Sequence, residues 1–203
     1  MERTSSIIDP MDFDLYIFDM GNVVIRDIEV LGSIAKCYGF DPEELRQDYR
    51  HYMYPLMDGS IDAACYWSHV SQQFGIQVSG DPLADHFRPR WNKPVEQLIR
   101  RLRLKGKRVV VGSNTYAPHW EWLREQGFLA IFDADYPSYR LGISKPSRRF
   151  FTHILEKEQV SAGKTFFMDD AEEHVAAAGS LGIHSLLYVL NVDNFTWFDP
   201  IFT

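Results

Sequence analysis

Short apolar runs punctuate this chain, and each stops abruptly at a polar group. Leu15-Tyr16-Ile17-Phe18 ends at Asp19, and Met20-Gly21-Asn22-Val23 follows at once. Val109-Val110-Val111-Gly112 leads into Ser113-Asn114-Thr115, and Gly142-Ile143-Ser144 precedes Lys145-Pro146. Thr165-Phe166-Phe167-Met168 delivers Asp169-Asp170. The pattern predicts strands at 14–18, 108–112, 129–133, 164–168 and 184–189, with helices around 117–126, 147–158 and 171–181. Strands that alternate with helices argue for an α/β fold, a mostly parallel sheet with helices on both faces.

Residues 28–92 break that rhythm. Asp41-Pro42-Glu43-Glu44 carries a capping acid, a proline at the first helical position and a glutamate three residues after the cap, which together signal a helix start. Ser60 and Asp81-Pro82 offer two more starts, and the block reads as four short helices rich in aromatic residues. Most of these aromatics are expected to pack, with Tyr52, Tyr54 and Met57 expected nearest any site. Val95, Leu98, Ile99 and Leu102 form a helical stripe beneath the basic run 100–108, so the basic residues read as a solvated face.

Composition bounds the function classes. With 203 residues, 45% of them hydrophobic and 24% charged, the chain suits one globular domain carrying a sizeable insertion. A net charge of −7 leaves no electrostatic footprint for nucleic acid. Residues 1–6 hold no apolar signal core and no run reaches membrane-spanning length, so a cytoplasmic protein without a membrane partner is expected. Cys37 and Cys65 stand in apolar helical contexts outside any Cys-x-x-Cys pattern and are expected as buried reduced thiols. Phe195, Trp197, Phe198 and Phe202 make the terminal segment 191–203 apolar enough to expect packing on the core or at a subunit contact. A homodimer through this tail or through the helical insertion is therefore one option.

The polar groups that close the apolar runs carry the chemistry. In an open parallel sheet, ligands bind beyond the carboxyl ends of the strands. Taken singly, a strand-end Asp, a capping Ser and a Lys-Pro turn each have an ordinary structural explanation. Taken together, they bring a carboxylate, a hydroxyl, an ammonium and a carboxylate pair to edges that can converge. A catalytic site is recognised by such roles in combination.

In type and order these motifs resemble those of the haloacid dehalogenase superfamily. The residues that carry the resemblance are Asp19-Met20-Gly21-Asn22-Val23, Ser113-Asn114-Thr115, Lys145-Pro146 and Phe166-Phe167-Met168-Asp169-Asp170. The likeness runs from about residue 14 to 190 and is nearest to the bacterial sugar-phosphatase-like branch. It implies a Rossmann-like core of residues 1–27 and 93–203 with a small helical cap at 28–92. It also implies a magnesium-dependent phosphomonoester hydrolase that works through an aspartyl-phosphate on a small sugar phosphate or similar metabolite. Asp19 is then the nucleophile, and Ser113 and Lys145 stabilise the transferring phosphoryl group. Backbone N–H groups at Met20 and Gly21, with Asn114 and His119, complete the substrate contacts. Asp19, Asp169 and Asp170, with the Gly21 carbonyl, are the implied Mg2+ ligands, an oxygen set suited to a hard cation.

Gly21 departs from the family pattern, because most phosphatases of the superfamily place an acid there to protonate the leaving oxygen. Loss of a positioned acid typically removes on the order of 10²–10⁴ in rate, which favours an activated leaving group such as that of a sugar-1-phosphate. His119 is expected as a structural histidine, with a substitute proton donor as the lesser option. His174 stands where this branch often has Asn, and Glu173 is a further outer acid. Two rivals remain: a 2-haloacid dehalogenase, against which the adjacent Asp169-Asp170 pair speaks, and a non-catalytic phosphate-ligand-binding protein of the same fold. A receiver domain suits the insertion poorly. The histidine spacing suggests no zinc site, and no Gly-x-x-x-x-Gly-Lys phosphate loop is present.

Overall fold

A computed structural model describes residues 10–189. Its centre is a parallel sheet in the order β5-β4-β1-β6-β7. These strands are β1 (Leu15–Phe18), β4 (Arg108–Ser113), β5 (Ala134–Pro137), β6 (Thr165–Asp169) and β7 (His184–Leu187). β1 lies in the middle, with Phe18 in register with Val111 on one side and Met168 on the other. That register sets the residues that follow, Asp19, Gly112-Ser113 and Asp169, side by side at the carboxyl edge. The sheet order reverses direction at β1, which is where such sheets bind ligands.

Apolar burial on both faces explains why these strands are unbroken hydrophobic runs. Tyr16, Phe18, Val109 and Val111 face one cluster, while Leu15, Ile17, Val110 and Phe167 face another beneath Phe150, Phe151 and Ile154. Helices α5 (Lys93–Leu104), α6 (Ala117–Glu125), α8 (Arg148–Glu158) and α9 (Glu172–Gly179) flank the core strands in the chain. Helix α5 buries Val95, Leu98, Ile99 and Leu102, as the stripe predicts.

Two boundaries differ from expectation. The run expected as a strand at 129–133 is a 3-10 turn at Phe128–Ile131, and β5 begins only at Ala134. Gly127 enters in the left-handed region (φ 79°), and Phe128, Leu129 and Ile131 all pack inward rather than alternating. Asp133 then accepts the Val109 N–H at 2.8 Å and starts the sheet pairing. Lys145 does not close a strand: one turn of helix, α7 (Ser138–Leu141), ends at left-handed Gly142, and a loop carries Lys145 to the site.

Between β1 and α5 the chain runs through four helices, α1 (Leu31–Tyr38), α2 (Pro42–Met57), α3 (Ala63–Phe74) and α4 (Pro82–Asp85). A two-stranded antiparallel ribbon, β2 (Ile25–Arg26) against β3 (Arg90–Trp91), brackets them. Asp41 caps α2 by accepting the N–H groups of Glu43 and Glu44, each at 2.9 Å. The cap of α3 is Asp62, not Ser60: Asp62 accepts the Cys65 N–H, while Ser60 N–H donates to Asp58. Cys37 and Cys65 are free but exposed, a correction to the burial expected of them. Each lies on the outer side of a helix whose buried stripe passes through other positions, Ile34 and Ala35 in α1 and Tyr66, Trp67 and Val70 in α3. The aromatic tail at 191–203 lies outside the described residues.

Candidate active site

Lys145 is fully buried, and its ammonium donates at 2.6 Å to Asp19 Oδ1 and at 2.6 Å to Asp169 Oδ2. The loop from α7 holds it there. Lys145 N–H donates to Asn114 Oδ1 and Asn114 Nδ2 donates back to the Lys145 carbonyl, both at 2.8 Å. The Lys145–Pro146 peptide is cis. Asn114 thus ties the loop after β4 to the lysine loop. Ser138 ties it to the insertion as well, since its hydroxyl accepts the Thr115 N–H at 2.9 Å and donates to the Met57 carbonyl of α2.

The carboxylates are not equivalent. Burial works against the charge on Asp169, but the Lys145 ammonium and the His174 N–H outweigh it and hold its pKa at about 2. For Asp19 burial wins: Lys145 pulls the carboxyl down, yet desolvation together with the Asp169 charge leaves it at about 6. Burial also disfavours the Lys145 ammonium, but the two carboxylates more than offset this and its pKa is raised. Asp169 Oδ1 receives the Ala171 N–H and His174 Nδ1–H, both at 2.9 Å. His174, at the position where the branch often has Asn, thus contacts Asp169 directly.

Asp170 is exposed and accepts from Asn22 Nδ2 at 2.9 Å, with Asn22 in the left-handed region (φ 56°) of the turn after Gly21. One carboxylate oxygen from each of Asp19, Asp169 and Asp170 lies within 4.8 Å of the others. An all-oxygen set of this kind fits a hard divalent cation such as Mg2+ and suits zinc poorly. Such a cation would offset the burial and the neighbouring carboxylate charge that together raise Asp19.

These groups open onto a cavity of about 770 Å3 whose wall includes Asp19, Met20, Gly21, Ser113, Asn114, His119 and Asp170. All the residues expected at the site, apart from the buried Lys145 and Asp169 beneath it, therefore line one cavity. His119 lines it without being poised for proton transfer. Its Nε2 lies 3.0 Å from the Leu83 carbonyl and 2.9 Å from the Tyr116 hydroxyl, and its ring stacks on Phe87 at 3.8 Å. Burial pushes its pKa down to about 4. Of the insertion residues expected near the site, Met57 lines the cavity, together with Met53 and Tyr49 one and two turns earlier on α2. Tyr52 faces away, packed on Tyr66 and His69, and Tyr54 reaches Glu173 at 3.5 Å on the outside.

Three residues escaped the sequence reading. Ile28 places its Cδ1 where a side chain at residue 21 would go: a Cβ on Gly21 would sit 2.9 Å from it. Arg26 also lines the cavity, and its buried Nε has no partner. Asn92, fully buried, accepts from Arg26 Nη2 at 2.7 Å and donates to the Val23 carbonyl at 2.6 Å and the Tyr188 hydroxyl at 2.8 Å. The only trace of Asn92 in the sequence is a capping residue ahead of Lys93-Pro94, and its side chain does not cap.

A central-strand aspartate, a buried lysine bridging it to a second acid, and a third acid beside them define an α/β protein built for chemistry at its strand ends. Residues 13–182 match the haloacid dehalogenase-like hydrolase family, and the chain belongs to it. It is 30% identical over 189 residues to a sesquiterpene phosphatase of Aspergillus oryzae, covering 86% of this chain and 89% of the relative. It is 26% identical over 162 residues to a GMP/IMP nucleotidase of Escherichia coli, covering 77% and 70% respectively. Among solved structures, a HAD family enzyme of Bacteroides thetaiotaomicron in complex with magnesium and inorganic phosphate superposes with a TM-score of 0.77. That alignment is 23% identical over 90% of this chain and 97% of the other, and it speaks to the fold.

Proposed function

We propose that this hydrolase is a Mg2+-dependent phosphatase in which Asp19 is the nucleophile, acting on small phosphorylated molecules with an apolar organic group. The observation that carries the reading is Lys145 held at 2.6 Å from both Asp19 and Asp169, with Asp170 alongside. Asp19, Asp169, Asp170 and the Gly21 carbonyl would hold the ion, which supplies positive charge against an incoming phosphate. Asp19 attacks phosphorus to form an aspartyl-phosphate as the P–O bond to the organic group breaks and that oxygen leaves, and water then releases inorganic phosphate. In this reading Ser113 and the N–H groups of Met20 and Gly21, residues of the cavity wall, receive the transferring oxygens, while Lys145 keeps Asp19 aimed and offsets the growing charge. The adjacent Asp169-Asp170 pair supports this over carbon–halogen chemistry.

The insertion at 28–92 acts in this reading as a cap over a core of 1–27 and 93–203, and its side chains meet the organic group. Leu31, Met53, Met57, Leu83 and Phe87 line the cavity. Polar side chains such as Arg26, Asp27, Tyr49 and Tyr116 share that wall, so the apolar patch is what favours an apolar ester here, with the sugar phosphate expected from the sequence as the alternative. The sesquiterpene phosphatase similarity supports the same class.

The test is inorganic phosphate release from a panel of phosphate esters, with and without Mg2+, using Asp19→Asn as the blank. Magnesium-dependent release lost in the variant is expected. Binding of phosphorylated ligands without turnover would move the chain to the non-catalytic reading.

A further inference from the structure

Resting on the phosphatase reading, we propose that the preferred substrate is an apolar diphosphate, cleaved at its terminal phosphoryl group. Residue 21 carries no side chain that could protonate a leaving oxygen, and its nearest side-chain neighbour is aliphatic: a Cβ at Gly21 would meet Ile28 Cδ1 at 2.9 Å.

Other titratable groups on the cavity wall do not fill that gap. Asp27 is paired with Arg90 at 2.5 Å, and exposed Glu29 accepts the Gly32 N–H and lies 3.8 Å from Arg46. His119 gives its Nε2 hydrogen to the Leu83 carbonyl, and His174 gives its Nδ1 hydrogen to Asp169. Tyr49 and Tyr116 are buried phenols whose acidity burial weakens further. An alkyl monophosphate would have to expel an alkoxide from this site, which needs a proton at the moment the bond breaks.

A diphosphate removes that need. Asp19 Oδ bonds to the terminal phosphorus, the bridging P–O bond breaks, and its electron pair leaves on an organic monophosphate. That oxygen is stable without a proton at neutral pH. Water then attacks the aspartyl-phosphate, so diphosphate and water become organic monophosphate and inorganic phosphate.

What this leaving group needs is a cation. Arg26 lies on the same wall, on the ribbon strand two residues before Ile28, with one guanidinium nitrogen bonded to Asn92 and its buried Nε unpartnered. Guanidinium donors match phosphate oxygens in geometry as well as charge. Arg26 receives the inner phosphate, and the apolar wall beyond it takes the organic chain.

The experiment compares dodecyl diphosphate, dodecyl monophosphate and p-nitrophenyl phosphate on the wild-type protein with Mg2+, following phosphate release and organic products by mass spectrometry. The nitrophenolate leaves without protonation, so this ester reports the nucleophilic chemistry alone. Expected is kcat/KM for the diphosphate about 10²-fold above the monophosphate, with dodecyl monophosphate accumulating. Comparable rates on the two dodecyl substrates, beside good hydrolysis of the aryl ester, would overturn this proposal and leave the phosphatase reading standing. No hydrolysis of any of the three would instead remove the phosphatase reading itself. Two variants extend the test. Arg26→Gln is expected to raise KM for the diphosphate about tenfold more than for the aryl ester. Gly21→Asp combined with Ile28→Ala is expected to narrow the gap by speeding the monophosphate. An unchanged ratio in a variant of native circular dichroism would count against the leaving-group argument.

Discussion

Replacing Lys145 with Met should show how far the site depends on one buried charge. The substitution keeps most of the side-chain volume and deletes the ammonium that lies 2.6 Å from both Asp19 and Asp169. Two carboxylates would then face each other in a place where Lys145 and Asp169 are fully buried and Asp19 is 7% exposed. Breaking a buried ion pair by removing one partner costs about 3–5 kcal/mol, because the charge left behind is uncompensated. For a chain of this size, each kcal/mol lowers Tm by roughly 2–4 °C, so a fall of roughly 6–20 °C is expected at pH 7 in the presence of a chelator.

Two features distinguish an electrostatic origin from simple loss of packing. Mg2+ should raise the Tm of the variant more than that of the wild type, since the ion supplies part of the missing positive charge. The deficit should also shrink as pH falls, because the unpaired carboxylates take up protons in the folded state more readily than in the unfolded chain. Activity should fall by about 10²–10³ even where Mg2+ restores the fold, since the ammonium also offsets charge on the phosphoryl group. Differential scanning calorimetry with phosphate-release assays would decide this. A variant melting within about 1 °C of wild type, or one whose deficit ignores both pH and Mg2+, would refute the reasoning.

Other residues give equally direct tests. His174→Ala removes the N–H on Asp169 Oδ1 and should weaken Mg2+ activation about 10–100-fold, with partial rescue by His174→Asn, measured by titrating activity with Mg2+. Asn92→Ala removes the hydrogen bonds to the Val23 carbonyl, the Tyr188 hydroxyl and Arg26 Nη2 and should cost about 2–4 kcal/mol in urea unfolding. His119 has a pKa of about 4 in the fold against about 6.5 when unfolded, so the unfolded chain binds the extra proton between those values. Stability is therefore full above pH 6.5 and falls as pH drops toward 4, by up to ~3 kcal/mol at about 1.4 kcal/mol per unit. His119→Phe, which keeps a ring against Phe87, should flatten that limb of the stability–pH curve.

The four motifs could be read from the sequence because each is local. An apolar run fully buried in a parallel strand must stop where the sheet stops, and the residue at that point is written next to it. Asp19, Ser113 and Asp169-Asp170 were legible for this reason, as were the cap of α2 at Asp41 and the buried stripe of α5. Helix-start signals such as Asp41-Pro42 also predicted the helical character of residues 28–92. The apolar pattern failed at 129–133, where inward-facing Phe128, Leu129 and Ile131 read as a strand but pack as a turn.

Which face of each insertion helix meets the site depends on how that helix packs, which no spacing rule contains. Hence Tyr49 and Met53 join Met57 at the cavity while Tyr52 turns inward to His69. Cys37 and Cys65 are exposed for the same reason. Long-range partnership is likewise invisible in one dimension. Asn92 reaches Tyr188 across 96 positions, and Lys145 reaches Asp19 across 126. Gly21 could be noticed in the sequence as a missing acid. That Ile28 occupies its space, with Arg26 and its unpartnered nitrogen on the same wall, was decided by tertiary structure alone, because only packing brings a ribbon strand over the end of β1.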